Sequence, residues 1–400
     1  MLITQHFALV SYPMLCSPQP KQVKVISEIG ERLVLNQAHD HERDEALLSW
    51  VATQLSLRCG LSDFAKRDDH TLTLSSGLIE HSLTHELGGL IWELTSKGER
   101  DRLPSANHLR DAWLQQNSAH LARSVVLTRH WPSDVPSPLL FKGGDLELYV
   151  YAHFGLSPGC RASSDWDLML PEPSYATIIE LWTREFGPPH LPRSSRLPCE
   201  SPHEVGFEID GLLIEVHRDP APRFFSPLRG HELWERARTH RLAEGLMIRL
   251  PRALDRLYVW LINYAKAGGL TRALSWVDLT LILMLLHHHH HGLFVRQSEV
   301  DQSMRRGLNR YGLNIAIREA LTQWVTSPFA RVNPQVSARI EAWLSDTLCR
   351  PELHFRHRIT STSPRWRLGI AQVRLCAPHL RWGYLWRALR ALGSSPRATR

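Results

Sequence analysis

Nowhere in the 400 residues do two of the six cysteines (16, 59, 160, 199, 349 and 376) form a Cys-x-x-Cys pair or another tight ligand spacing. That argues against a disulfide framework and against a cysteine-based zinc module, and makes a reducing compartment the default. Long apolar runs are missing too. The most apolar stretch, Trp276 to Leu286, is about eleven residues with Asp278 inside it, whereas spanning a bilayer takes about 20. The opening MLITQHFALVSYPMLC has neither the basic start nor the strong apolar core of a secretory signal. The expected location is therefore the cytoplasm, with no transmembrane segment.

What the chain does contain is material for cores. A hydrophobic content of 43% with 14 Trp suits two or three folded domains rather than a disordered or fibrous chain. Charge is uneven. Residues 351–400 hold ten Arg against the single acid Glu352, so this tail carries +9 of the formal +7 and the preceding chain about −2. A stripe of that kind can meet nucleic acid, an acidic partner or a membrane surface. Its apolar residues Trp382, Leu385, Trp386 and Leu389 fall at helical spacing and also read as a docking stripe. The run His287 to His291 directly follows the apolar helix. Successive helical residues point in different directions, so five imidazoles in a row cannot converge on one ion.

Periodicity divides the chain. Residues 1–130 read as a mainly helical N-terminal region, with helices expected over 44–57, 76–95 and 107–129. After the Pro-rich WPSDVPSP comes a short strand, Leu139 to Phe141, then Lys142-Gly143-Gly144 and a helix over 145–154. Strand, glycine pair and helix can present backbone N–H groups to an anion. Next, Ser163 to Leu170 reads as a strand stopped by Pro171. Period-two geometry puts Asp165 and Asp167 on one face and Trp166 and Leu168 on the other. Two adjacent carboxylates repel each other, and a divalent cation between them is the natural resolution. A helix over 174–186 and an extended Pro- and Arg-rich connection over 187–203 follow.

The clearest hairpin is Val205–Ile209, Asp210-Gly211 and Leu212–Val216, because Asp-Gly readily fills a tight turn. In its second strand Leu213, Glu215 and His217 share the face opposite Leu212, Ile214 and Val216. An acid in so apolar a run needs a partner, and an ion shared with Asp165 and Asp167 would supply one. Residues 226–350 read as a helical domain, with helices expected over 231–246, 251–267, 273–290, 298–324 and 334–349. The core would then span 131–225 and the basic, aromatic-containing tail 351–400.

Together, KGG, RASSDWDLML and GLLIEVHRD resemble the polymerase-beta-like nucleotidyltransferase superfamily. More narrowly they resemble bacterial nucleotidyltransferase family proteins with a KG…L…Y…R…DxDLLV…vEvHw pattern. The matching positions are Lys142-Gly143, Leu146 or Leu148, Tyr149 or Tyr151, Arg161, Asp165 to Leu170 and Ile214 to His217, best over 137–220. The resemblance implies an α+β fold with a mixed sheet flanked by helices, a helical N-terminal region and a helical C-terminal domain. It also implies transfer of a nucleoside monophosphate from an NTP, ATP included, to a hydroxyl of a small molecule or peptide. Asp165, Asp167 and Glu215 would hold Mg²⁺ and carry the catalysis, Lys142, Gly143 and Gly144 would bind the triphosphate, and Arg161 would either join them on phosphate or tie the strand entrance to an acid. His217 would stand behind the Glu215 carboxylate or be an ordinary hydrogen-bonded buried histidine, and Asp278 would lie near the acceptor or be a structural acid satisfied by a neighbouring Arg or a helix terminus.

Two departures accompany the match. Trp166 stands where relatives have an aliphatic residue, which demands a roomy pocket behind the strand. Asn263 stands where they tend to have His. Two rival readings are a catalytically inactive scaffold of this fold in a biosynthetic or defence complex, and an RNA-binding protein led by the basic C-terminus.

Overall fold

Alternation of side chains along three strands decides how this molecule is layered. In the computed structural model the described residues are 43–58, 74–84, 86–103, 105–190, 203–222, 225–269, 272–290, 292–295 and 298–347. The readings placed on residues 1–40, on most of 187–203 and on the Arg-rich tail 351–400 lie outside them. The chain divides into two compact units, Met1–Glu45 and Ala46–Arg400, and the second holds everything that follows.

Residues 46–58 are helical (α1), followed by α2 (Ser76–Thr84), α3 (Gly88–Leu94), α4 (Lys97–Arg100) and α5 (Ala106–His130). The single helix expected over 76–95 is two. The chain takes φ 61° at Glu86, a left-handed turn that a continuous helix cannot contain. Then come β1 (Leu139–Phe141), α6 (Gly143–Asp145) and a π-helical stretch over Leu146–Tyr151, β2 (Asp165–Met169), α7 (Glu172–Phe186) and the hairpin β3 (Glu204–Ile209) and β4 (Leu212–His217). The hairpin turns at Asp210 and Gly211 with φ 51° and 76°, as its Asp-Gly sequence requires.

The helix expected over 231–246 is instead α8 (Gly230–Arg236) followed by the hairpin β5 (Arg238–Arg241) and β6 (Met247–Leu250). The backbone turns extended at Ala237, and Gly245 adopts φ 103°. The segment folds back as a hairpin whose β6 joins the sheet beside β1, so tertiary pairing overrides local periodicity. Helices α9 (Ala253–Lys266), α10 (Ala273–His289), α11 (Glu299–Tyr311), α12 (Asn314–Val325), α13 (Pro328–Val332) and α14 (Pro334–Thr347) complete the described chain. The helix expected over 298–324 is broken at Gly312, whose φ of 67° caps α11 in the left-handed conformation.

The protein is α+β, with six strands in the order β3-β4-β2-β1-β6-β5. Pairing is mixed: β1 with β6 and β2 with β4 are parallel, while β1–β2, β3–β4 and β5–β6 are antiparallel. On one face Leu140, Trp166, Leu168, Ile214, Val216, Phe207 and Ile209 form a core with Val126 and Leu127 of α5 and Ile178 and Trp182 of α7. On the other, Leu139, Phe141 and Met169 join a larger core built from α9, α10 and α12. The even-numbered residues of β2 and β4 thus enter the first core, and Asp165, Asp167, Glu215 and His217 are delivered to the second face. Helix α10 is buried all round from Val277 to Leu286. It is therefore a core helix, and no helix among the described residues is long and apolar enough to cross a membrane.

Trp166 has the pocket its size demands. It is fully buried, packed edge-on against His120 with ring centroids 5.5 Å apart. Its indole nitrogen finds no hydrogen-bond acceptor among the described residues, so the contribution is packing. Trp166→Ala is expected to lower unfolding free energy by about 3–5 kcal/mol through the cavity left between sheet and α5. Urea denaturation reads this directly, and a loss under about 1 kcal/mol would show that the pocket collapses freely.

Candidate functional site

Parallel pairing of β2 with β4 sets Asp167 directly opposite Glu215, Asp165 opposite Leu213 and Met169 opposite His217. On the far side of β4, antiparallel pairing sets Glu204 opposite His217 and Gly206 opposite Glu215. One face of three neighbouring strands therefore carries Asp165, Asp167, Glu215, His217 and Glu204. This follows from period two plus register, the two rules that fix which side chains meet on a sheet.

The tightest part of this cluster is Asp167, Glu215 and His217, whose ligating atoms lie within 4.8 Å of one another. His217 Nε2 is 2.9 Å from Asp167 Oδ1 and 3.3 Å from Glu215 Oε2. The expected trio was Asp165, Asp167 and Glu215. Asp165 stands outside the tight group, one pleat along β2, and lines the same cleft. His217 is wholly buried, and neither ring nitrogen makes a hydrogen bond to a described residue. Its short approach to Asp167 is misaligned for one.

Lys142 is the counter-charge. It links β1 to α6 at φ 53° and ψ −126°, a backbone region that L-residues rarely occupy and that costs free energy to hold. The turn sends its ammonium group back over β2 to within 2.5 Å of Asp167 Oδ1. Burial alone would raise the Asp167 carboxyl; the Lys142 charge and the imidazole of His217 outweigh it and hold the group well below the usual carboxylate range. Among the described residues Asp165 forms no such ion pair. Burial, and then the charges of Asp167 and Glu215, push it up to about 6.

The two glycines after Lys142 do different things. A Cβ on Gly143 would lie 2.7 Å from both Arg161 Nη1 and Ser163 Oγ, at the cleft wall, whereas one on Gly144 would lie 2.8 Å from Leu140 Cδ1 and 3.0 Å from Trp166 Cδ1. Gly143 keeps the cleft open, and Gly144 lets α6 settle on the core. The N–H groups of this first turn lack helical acceptors, as in any helix.

Arg161 and Asp278, 117 residues apart, are each other's partner. Nε and Nη2 of Arg161 donate to Oδ1 and Oδ2 of Asp278, both at 2.9 Å, and the Tyr151 hydroxyl donates to Oδ1 at 2.9 Å. The pair fastens β2's entrance to α10. Arg123 of α5 secures the same entrance by donating to the Ser163 carbonyl at 2.8 Å.

Comparison with protein-family models, with curated proteins and with solved structures gives no match to the chain. The chemistry must be read from the cleft itself. It holds about 430 Å³, with Lys142, Asp165, Asp167 and Glu215 on one wall and Arg256, Trp260, Asn263 and Arg272 on the other. That is the size of a small-molecule site.

Three contributors escape sequence reading. Glu204 lies within ion-pair distance of two imidazoles, 3.2 Å from His203 Nε2 and 3.4 Å from His217 Nδ1. Burial opposes its ionisation, but His203, Lys266 and His217 together hold its carboxyl far below the usual range. Lys266, at the end of α9, has its ammonium pushed down by burial and by the charge of Lys142. Extending the period-two reading of β3 back by one residue would have found Glu204. Lys266 gives no local signal.

The histidine run ends α10. His288 and His289 lie against His153, with ring centroids 5.8 and 5.2 Å apart, on the protein surface and away from the acids.

Proposed function

We propose that this protein is a metal-dependent nucleotidyltransferase of the polymerase-beta-like fold, moving a nucleoside monophosphate from an NTP to a hydroxyl acceptor. One observation carries the reading: Asp167 faces Glu215 across parallel strands, Asp165 stands one pleat away, and the Lys142–Gly143 turn borders the same cleft.

Whether a divalent cation fits can be tested on the donor set. Two buried or half-buried carboxylates, a third raised to about 6 by burial and their charges, and a buried imidazole without a hydrogen bond make a site short of positive charge. Among the described residues Lys142, paired with Asp167, and the buried Lys266 are the cations that offset it. Asp167 and Glu215 would hold the ion, with Asp165 alongside. When bound, Mg²⁺ supplies neutralisation of phosphate charge and orientation of an in-line displacement at the alpha-phosphorus.

The protein's own groups divide the remaining work. Lys142, a point charge suited to phosphate, can exchange Asp167 for a triphosphate oxygen when an ion takes its place. The first-turn N–H groups from Gly143 receive a further oxygen. The Arg161–Asp278 bridge and the Arg123 bond to Ser163 keep the entrance of β2 fixed, so Asp165 and Asp167 are oriented before substrate arrives. Arg161 thereby positions the strand, its guanidinium being committed to Asp278.

The direct Lys142–Asp167 ion pair also favours a second reading, a scaffold in which the lysine has replaced the ion permanently. Incubating the protein with each alpha-labelled NTP and Mg²⁺ in host extract separates the two. Wild type should transfer label and Asp165→Ala/Asp167→Ala should lose it by roughly 10³-fold. Equal transfer by both proteins would rule out the aspartates as the catalytic pair, and none by either would favour the scaffold.

A further inference from the structure

We infer that His217 is itself a ligand of the cation site, which makes the site selective for a divalent transition ion of the Mn²⁺ and Zn²⁺ type over Mg²⁺. The inference rests on the preceding reading only in taking Asp167 and Glu215 to share an ion.

A fully buried imidazole normally satisfies its nitrogens, because leaving them without partners costs free energy. His217 satisfies neither among the described residues, yet both nitrogens lie within 3.4 Å of carboxylate oxygens. Nδ1 faces Glu204 Oε2 at 3.4 Å, and Glu204 is itself held by His203 at 3.2 Å. Nε2 faces Asp167 and Glu215 at 2.9 and 3.3 Å. Metal-bound histidines commonly have one nitrogen on the ion and the other directed at a carboxylate that fixes the tautomer. With Nδ1–H toward Glu204, the Nε2 lone pair is left for an ion between Asp167 and Glu215.

The separations agree. Donors bound at about 2.1 Å lie about 3.0 Å apart along an octahedral edge and about 3.4 Å apart along a tetrahedral one. The values of 2.9 and 3.3 Å from His217 Nε2 to the two carboxylates fall near those limits, and the two carboxylate oxygens lie within 4.8 Å of each other. Lys142 must leave Asp167, and it can, since its ammonium already borders the open cleft. Mg²⁺ prefers oxygen donors and gives up water reluctantly, whereas imidazole with carboxylates suits Mn²⁺, Fe²⁺, Co²⁺ or Zn²⁺. His217 is thus the residue that sets ion preference.

The test uses the full chain with metal alone. Free Mn²⁺ is counted by electron paramagnetic resonance, with Mg²⁺ as competitor, and spin-echo modulation detects a directly bonded ¹⁴N. Wild type should bind Mn²⁺ at least about tenfold more tightly than Mg²⁺ and show the nitrogen coupling. His217→Gln, checked for native circular dichroism, should lose the coupling and about 10- to 100-fold in Mn²⁺ affinity. Mn²⁺ bound without nitrogen coupling, or an unchanged Mn²⁺:Mg²⁺ preference in a folded His217→Gln, would overturn His217 as a ligand while leaving the carboxylates' shared ion intact. Absence of any Mn²⁺ binding in wild type would overturn both. Should His217→Gln fail to fold, the wild-type nitrogen signal, read with and without ¹⁵N-histidine, decides alone.

Discussion

Asp167→Asn is expected to remove nucleotidyl transfer by roughly 10³-fold or more, and to destabilise the fold unless Lys142 is changed with it. Asp167 is 4% exposed and pairs with the Lys142 ammonium. Removing the carboxylate's charge strands that ammonium in a partly buried position, and breaking such a pair is far worse than replacing both partners. Because Lys142 reaches the cleft edge and can turn toward solvent, the cost should be about 1–3 kcal/mol, below the range for a fully buried charge. In Lys142→Met/Asp167→Asn most of that stability should return while transfer stays absent. Denaturant titration and label transfer, measured on the same three proteins, separate the structural role of the pair from its chemical one. Recovery of activity in the double variant would show that Asp167 only balances Lys142.

The second large effect concerns stability alone. Asp145 and Arg256, 1% and 5% exposed, form a bidentate pair with both contacts at 2.7 Å, and the guanidinium also covers the Tyr149 ring at 4.2 Å. Burial pushes the Asp145 carboxyl upward even against the pull of Arg256, so the pair offsets a heavy desolvation cost rather than adding surplus stability. Arg256→Ala should lower unfolding free energy by about 3–5 kcal/mol by leaving that carboxylate uncompensated. An Asp145→Leu/Arg256→Met chain should recover most of the loss. If Arg256→Ala shifts the denaturation midpoint no more than a surface substitution does, α9 is not fastened to α6 through this pair.

What could be read from the residues beforehand follows from how local each signal is. The shared face of Asp165 and Asp167, the Asp-Gly hairpin and the opposite orientation of Ile214 and Glu215 depend on neighbours two or three positions away, and all are in the structure. The register that sets Asp167 against Glu215 is long-range; alternation fixes which face each strand buries, but a slip by two residues would bury the same faces, so the pattern does not reach it. By contrast, Arg238 to Arg241 contains no apolar alternation. It is the sheet's edge strand because β6 pairs with its backbone, and no local reading could distinguish it from helix. Arg161 meeting Asp278, and Lys266 reaching the strand face, depend on helices packed from more than a hundred residues and about fifty residues away. The displacement of Asp165 from the tight trio in favour of His217 has the same origin. Side-chain alternation places all four groups on one face, but only strand stagger decides which three converge.

The account stands or falls on a shared cation between β2 and β4. Diffraction from crystals grown with Mn²⁺ and a non-hydrolysable NTP, recorded at an energy where manganese scatters anomalously, locates that ion without assumptions about chemistry. The predicted result is an anomalous peak within bonding distance of both Asp167 and Glu215, with Lys142 turned to the triphosphate. A well-ordered nucleotide with manganese bound elsewhere, and Lys142 still paired to Asp167, would contradict it.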